Sequence, residues 1–480
     1  MLWIFAVALV CRFAVFLVGV ANADDQGSNP AFFWYDSGQY LEPARSLLLD
    51  GSYTVQSGDE RAPYFIRPPA YPVFIALCQA IGGERTLAIL VPQLFLSALT
   101  CSLAYWIGAM VYQHRVGLIA GWLMAFDQSL IAYSNKVMTE TFAGFFFLLS
   151  TVCLVLSFAR ARLGALLLGG ICLGVATLAH GGTVLYWVVP VTFLAIWGGL
   201  SWKQKLVGIA LFLAGWFVTT VPWQVRNQLV FGIAELAPGG HTLMTTAADV
   251  LWAEQPGLDR QEARDAHTQR VRRIFEERYG LPVPNWADAE LRRRYFRQFN
   301  NLQTDESKRV LREHAGTYAK LAADGLLKLT VLPLPYAELC RFAATQELDS
   351  TGPGLRSRMM AALKKLVRGE PGAFARAVRE VSFCKLFGFT WNIAYWMLVV
   401  PASLFGVVWT LRQRHWIGFV LLLGTVAYFV VTLSLIKAGD GMQRYRLRML
   451  PYLYCVAAVG WTALPRREAG TEQAHTVAPS

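Results

Sequence analysis

Three acids and four arginines stand at the edges of long apolar runs: Asp36, Asp127 and Glu140, then Arg67, Arg226, Arg444 and Arg446. A carboxylate at such an edge can take a proton from a hydroxyl, and guanidinium groups match the paired oxygens of a phosphate. Asp36 lies in Phe33-Trp34-Tyr35-Asp36-Ser37-Gly38-Gln39-Tyr40. From there Tyr40, Leu41, Ala44, Leu47 and Leu48 form one apolar helix face. Asp36 therefore suits an N-cap and a catalytic base equally, and the two roles are compatible. Arg67 opens Arg67-Pro68-Pro69-Ala70-Tyr71-Pro72, where the prolines stiffen the start of an apolar helix. It can bind a lipid phosphate or anchor at the interface. Glu140, after Thr139, is an ordinary helix-start acid by the dipole rule, yet it sits where burial costs more than that role requires. Arg226 belongs to Pro222-Trp223-Gln224-Val225-Arg226-Asn227, and Arg444 and Arg446 flank Tyr445. Tyr40, Tyr71 and His180 are further candidates for touching substrate.

The elements that must position these residues are membrane helices. The 480 residues are 55% hydrophobic and only 16% charged, with a net charge of +12. That excludes a disordered chain, a disulfide-rich secreted module and a typical nucleic-acid-binding domain. About ten apolar stretches are read as spans, at roughly 3–20, 87–111, 117–132, 140–158, 163–179, 183–199, 206–222, 391–411, 416–436 and 449–464. A break at His180-Gly181-Gly182 separates two short ones. Basic residues fall in alternate links: His114-Arg115, Arg160 with Arg162, Lys203 with Lys205, Arg412 with Arg414, and Arg466-Arg467. By the positive-inside bias these links are cytoplasmic, and the candidate site residues lie on the outer side. The expected organisation is a transmembrane module over 1–222 with an outer loop at 21–86, an outer helical domain over 223–390, C-terminal spans over 391–465 and a polar cytoplasmic tail over 466–480. The first apolar run ends in Ala21-Asn22-Ala23, which suits signal-peptide cleavage, but Arg12 interrupts it and favours a retained span. Leu326 to Pro335 is short, apolar and proline-stopped, and is read as interfacial. The arginines at 270, 272, 273, 292, 293 and 294 are read as solvated faces or lipid-facing. None of the eight cysteines forms a CxxC pair, so no zinc or thioredoxin-type signal exists, and only Cys340 and Cys384 share a polar segment.

Taken in order, these motifs resemble the GT-C membrane glycosyltransferases, specifically the bacterial RgtA/B/C/D-like and protein-mannosyltransferase-type group. The carriers are an outer-loop Asp followed by Tyr-Leu and Ala, Arg-Pro-Pro-x-Tyr-Pro, Thr-Glu opening a span, Pro-Trp-x-x-Arg-Asn, and Arg-Tyr-Arg before the last span. They cover about 1–232 and 391–464. The resemblance implies an all-α polytopic bundle with a helical outer first loop and a large outer loop before the last three spans. It implies transfer of a sugar from a polyprenyl-phosphate donor to a glycolipid, glycan or protein, outside the bacterial cytoplasmic membrane. Asp36 becomes the base of an inverting displacement, with Glu140 or Asp127 orienting it, positioning the acceptor or helping to hold a divalent cation such as magnesium or manganese. Arg67, Arg226 and Arg444 or Arg446 become the donor-phosphate ligands. The family often carries Arg-Pro where this chain has His180-Gly181-Gly182, which removes a phosphate contact. A polyprenyl-diphosphate glycan ligase or polymerase shares the outer arginines. A lipid or solute transporter would need acids at the middle of its spans.

Overall fold

The computed structural model describes residues 1–23, 29–159, 163–197, 199–237, 239–255, 257–284, 286–330, 341–343, 383–436 and 442–463. The bases at 160, 162, 466 and 467, Cys340, the side chain of Cys384, residues 331–335 of the 326–335 stretch and the polar tail lie outside the described residues.

The all-α expectation holds. In chain order the helices are α1 (Leu2–Ala21), α2 (Gly38–Asp50), α3 (Ala70–Gly82), α4 (Thr86–Val111), α5 (His114–Phe126), α6 (Gln128–Ser134), α7 (Thr139–Ala159), α8 (Gly164–Ala179), α9 (Val188–Ile196) and α10 (Trp202–Phe231). Four more follow α10: α11 (Gly239–Glu254), α12 (Arg260–Tyr279), α13 (Ala289–Glu313) and α14 (Ala315–Thr330). The chain closes with α15 (Phe383–Arg412), α16 (Gly424–Ile436, preceded by a π-turn) and α17 (Leu450–Ala463). One hairpin, β1 (Thr54–Ser57) with β2 (Glu60–Pro63), pairs Thr54 opposite Pro63. It turns at Gly58, whose φ of 65° is left-handed.

Among the described residues six helices are long and apolar enough to cross a membrane, and α5 with α6 makes a seventh crossing if the pair acts as one. Each of the ten expected stretches carries helix, but not always a straight one. The 117–132 stretch bends by 57° at Asp127, whose carboxylate accepts from the Leu130 N–H at 2.7 Å and caps the new helix. The 163–199 stretch breaks at His180-Gly181-Gly182 into α8 and α9, as its residues suggested. By contrast α10 runs past 222 to Phe231 and stops only at Gly232, with φ 74°.

Arg12 explains how a cation can sit in α1. It is fully buried, and its guanidinium donates to Ser97 Oγ at 2.6 Å, to the Ala8 carbonyl at 2.9 Å and towards the Ala125 and Met124 carbonyls at 3.4 Å. A charge at mid-membrane costs about 2.5–3.5 kcal/mol on insertion scales. Charge-assisted hydrogen bonds of about 1.5–3 kcal/mol each offset that. Arg12 thus fastens α1 to α4 and α5. Elsewhere small residues set the spacing. A Cβ on Gly406 of α15 would stand 2.0 Å from the Val456 carbonyl, and one on Gly460 of α17 2.0 Å from that of Ala402.

Candidate active site

The 29–37 segment is fixed before it reaches Asp36. Phe32 accepts from the Val137 N–H at 2.8 Å, and Ser37 Oγ donates to the Val137 carbonyl while accepting from Trp34 N, both at 2.8 Å. Buried Lys136 lays its ammonium 4.7 Å from the Trp34 ring centre. These bonds hold the 29–37 segment against the turn that leads into Glu140. From the other side Tyr71 donates to Gln93 at 2.8 Å, and Gln93 donates to the carbonyls of Ser134 and Lys136. Tyr40 packs edge-on to Tyr71 at 5.2 Å between ring centres.

Asp36 is not the helix cap. The N-cap of α2 is Ser37, which makes no side-chain cap bond. The Asp36 carboxylate instead turns to two arginines that the sequence assigned to phosphate. One oxygen lies 2.8 Å from Arg67 and the other 2.6 Å from Arg444. Arg67 also donates to Gln39 at 2.8 Å and sits 5.1 Å over the Tyr40 ring. Arg444 further donates to the Tyr445 hydroxyl at 2.8 Å, and its Nε lies 3.9 Å from Glu140. Asp36, Glu140, Arg67 and Arg444 thus form one cluster, although 408 positions separate its ends.

Arg448 was not singled out by sequence and completes the cluster. It is 1% exposed, and none of its three guanidinium nitrogens meets a hydrogen-bond acceptor among the described residues. Glu140 is the carboxylate that acts on it most strongly. Both border a small cavity of about 20 Å³. Glu140 Oε2 and Arg444 NH1 likewise have no hydrogen-bond partner. A buried charge without a partner is costly, so these groups are shaped for something other than stability. Three guanidinium groups against two carboxylates, 3 − 2, leave the cluster one positive charge. The missed signal was position: Arg448 lies one helical turn after Arg444, in the same link before the last helix.

The remaining candidates lie elsewhere or at the margin. His180 accepts from the Gly182 N–H through Nδ1 at 3.1 Å, and its ring stands 5.7 Å from Tyr445. A Cβ on Gly182 would lie 3.2 Å from Arg448 NH1, so the 180–182 departure borders that guanidinium. Asp127 caps α6 and accepts from the Tyr454 hydroxyl, joining the bend to the last helix. Arg446 is buried over the Trp396 ring at 3.8 Å and donates to the Leu329 carbonyl. Arg226 donates to the carbonyls of Tyr64 at 2.9 Å and Tyr53 at 3.3 Å and lies over Trp223, pinning the hairpin to α10. The carboxylates do not converge for a cation. Asp36 holds two guanidinium groups and Asp127 faces Tyr454, and no three His, Cys, Asp or Glu side chains gather among the described residues. No step is routed through a metal.

Residues 66–224 match the sequence profile of the family described as dolichyl-phosphate-mannose-protein mannosyltransferase. That stretch contains Arg67, Tyr71, Asp127, Glu140 and His180. No curated protein matches the chain. Among solved structures it is similar to the oligosaccharyltransferase AglB of Archaeoglobus fulgidus in complex with an inhibitory peptide and a dolichol-phosphate. The identity is 12% and the TM-score 0.49, covering 95% of this chain and 50% of that one. It is also similar to ArnT of Cupriavidus metallidurans bound to undecaprenyl phosphate, at 14% identity and TM-score 0.39, covering 94% of this chain and 77% of that one. The chain spans about half the length of the archaeal enzyme.

Proposed function

We propose that the chain is a multi-pass membrane glycosyltransferase of the GT-C type that moves a sugar from a polyprenyl-phosphate donor to an acceptor hydroxyl on the outer face of the bacterial cytoplasmic membrane. The observation that carries this is the cluster of Asp36, Glu140, Arg67, Arg444 and Arg448. It combines a candidate base with buried guanidinium groups that have unused donors. Its single excess positive charge balances the single negative charge of a phosphodiester. The matched family's description names a dolichyl-phosphate sugar as donor, which agrees with that charge.

In this mechanism the acceptor oxygen forms a bond to the anomeric carbon as the bond from that carbon to the phosphate oxygen breaks. The proton of the acceptor hydroxyl passes to Asp36, and the departing polyprenyl phosphate keeps the bonding electrons. Arg444 and Arg448 hold the charge it gains, with Glu140 beside Arg444. A base on the face opposite the leaving group gives inversion. The cavity beside Glu140 and Arg448 has room for about one water, not for a sugar phosphate. Donor binding therefore requires the 442–448 segment to shift. That movement draws Arg444 from Asp36 towards phosphate and frees the carboxylate to act as base. Arg448 supplies, beside Gly182, the cation that the 180–182 departure removes.

The donor class is tested with purified protein in lipid vesicles. Sugars linked to polyprenyl monophosphate and to polyprenyl diphosphate are offered alongside a crude glycolipid acceptor. Transfer from the monophosphate alone is expected. Transfer from the diphosphate alone would point to a ligase or polymerase, and movement of lipid or solute without glycosyl transfer to a transporter.

A further inference from the structure

A second cavity, of about 230 Å³, lies between the hairpin, the end of α10 and α13. Trp286, Phe296 and Phe299 line one side, with ring centres 5.1 Å apart for Trp286 with Phe296 and 5.7 Å for Trp286 with Phe299. Arg292, which is buried rather than solvated, holds Trp286 in place by donating to its carbonyl at 2.6 Å and to that of Val230 at 3.3 Å. The polar lining is Gln56, Ser57, Asn300 and Gln303 with the imidazole of His241, and no Asp, Glu, Lys or Arg lines the cavity. Asn300 is 3% exposed, and its Oδ1 has no hydrogen-bond partner among the described residues. Aromatic faces beside amides fit a sugar ring, which offers apolar C–H faces and equatorial hydroxyls. No guanidinium or ammonium group lines the cavity to pair with an anion.

This cavity also adjoins the cluster around Asp36. Tyr64 lines it within the electrostatic reach of Arg67, and Ile66 lines it immediately before Arg67 in the chain. Burial pushes the Tyr64 phenol up to about 12, so it stays a neutral donor at working pH. We infer that the cavity is the acceptor subsite and that it takes an uncharged hexopyranose of a glycan acceptor. The word acceptor here rests on the glycosyl-transfer reading of Asp36; the saccharide affinity does not.

The test is saturation-transfer NMR on the full chain in nanodiscs, with methyl glucoside, methyl mannoside, methyl galactoside and methyl glucuronoside as probes. At least one neutral glycoside is expected to show transfer and the glucuronoside none. Trp286→Ala and, as a milder change, Gln303→Ala should each weaken the neutral signal tenfold or more, while Asp36→Asn leaves it unchanged. Equal binding of the glucuronoside, no binding of any neutral glycoside, or an unchanged signal in both cavity variants would overturn the proposal. Hexoside binding that survives Asp36→Asn, together with undiminished sugar transfer by that variant, would uphold the subsite and remove the base assignment instead.

Discussion

At the scale of single residues, side-chain direction separates roles that residue type leaves open. Asp36 stands where an N-cap would stand, and its carboxylate points the other way, to Arg67 and Arg444. Asp127 reads as a second candidate acid and proves to be a cap, tied to Tyr454 at the bend between α5 and α6. Arg448 shows the reverse case. It reads as one more arginine beside Arg446, and the fold leaves its guanidinium buried among groups that do not satisfy it. A hydrogen bond from a charged group is worth about 1.5–3 kcal/mol, and each 1.4 kcal/mol is about tenfold in affinity. Arg448→Gln is therefore expected to raise the donor KM by roughly ten- to a hundredfold. The KM for acceptor should change little. Steady-state kinetics with each substrate varied in turn would reveal the split, and an unchanged donor KM would remove Arg448 from the phosphate site.

At the scale of elements, the α12–α13 pair carries a pH-sensitive joint. His267 on α12 is 2% exposed, and neither ring nitrogen has a hydrogen-bond partner. Burial holds its pKa below the ordinary 6.5, with Arg270 and Arg309 adding to the effect and Glu306 opposing it. The folded state thus binds fewer protons than the unfolded one as pH falls below 6.5. Stability is lost in that direction and levels off below the folded pKa. Hydrogen-exchange protection in α12 and α13, measured relative to the intrinsic rate at each pH, is expected to fall between pH 7.5 and 5.5, and His267→Phe should flatten the change. Protection that stays constant with pH in the unaltered protein would contradict this. Much of this scale was legible in the sequence, because apolar length fixes a membrane helix and Gly-Gly after His180 marks a break. What was not legible depended on partners far along the chain. The bend at Asp127 is secured by Tyr454, and the extension of α10 to Phe231 by Arg226 gripping Tyr53 and Tyr64. The hairpin at 54–63 has only short strands with little alternation to announce it.

At the scale of the whole molecule, the two ends of the bundle gather different groups. His114, Tyr112 and His415 gather at one end of the bundle, where Tyr112 stacks on His415 and bonds Thr410. Asp36, Glu140, His180 and the arginines of the candidate site belong to links from the opposite ends of the same helices. The fold closes that site from 29–37, 67, 140, 180–182 and 444–448, so no single stretch of sequence displays it. The central claim is that this assembly transfers sugar with Asp36 as base. The direct measurement is transfer from a radiolabelled polyprenyl-phosphate sugar by vesicle-reconstituted protein, comparing the unaltered chain with Asp36→Asn at equal folded amounts. Loss of transfer by a factor of a hundred or more, with donor binding retained, is the expected result; transfer at the unaltered rate in Asp36→Asn would contradict it.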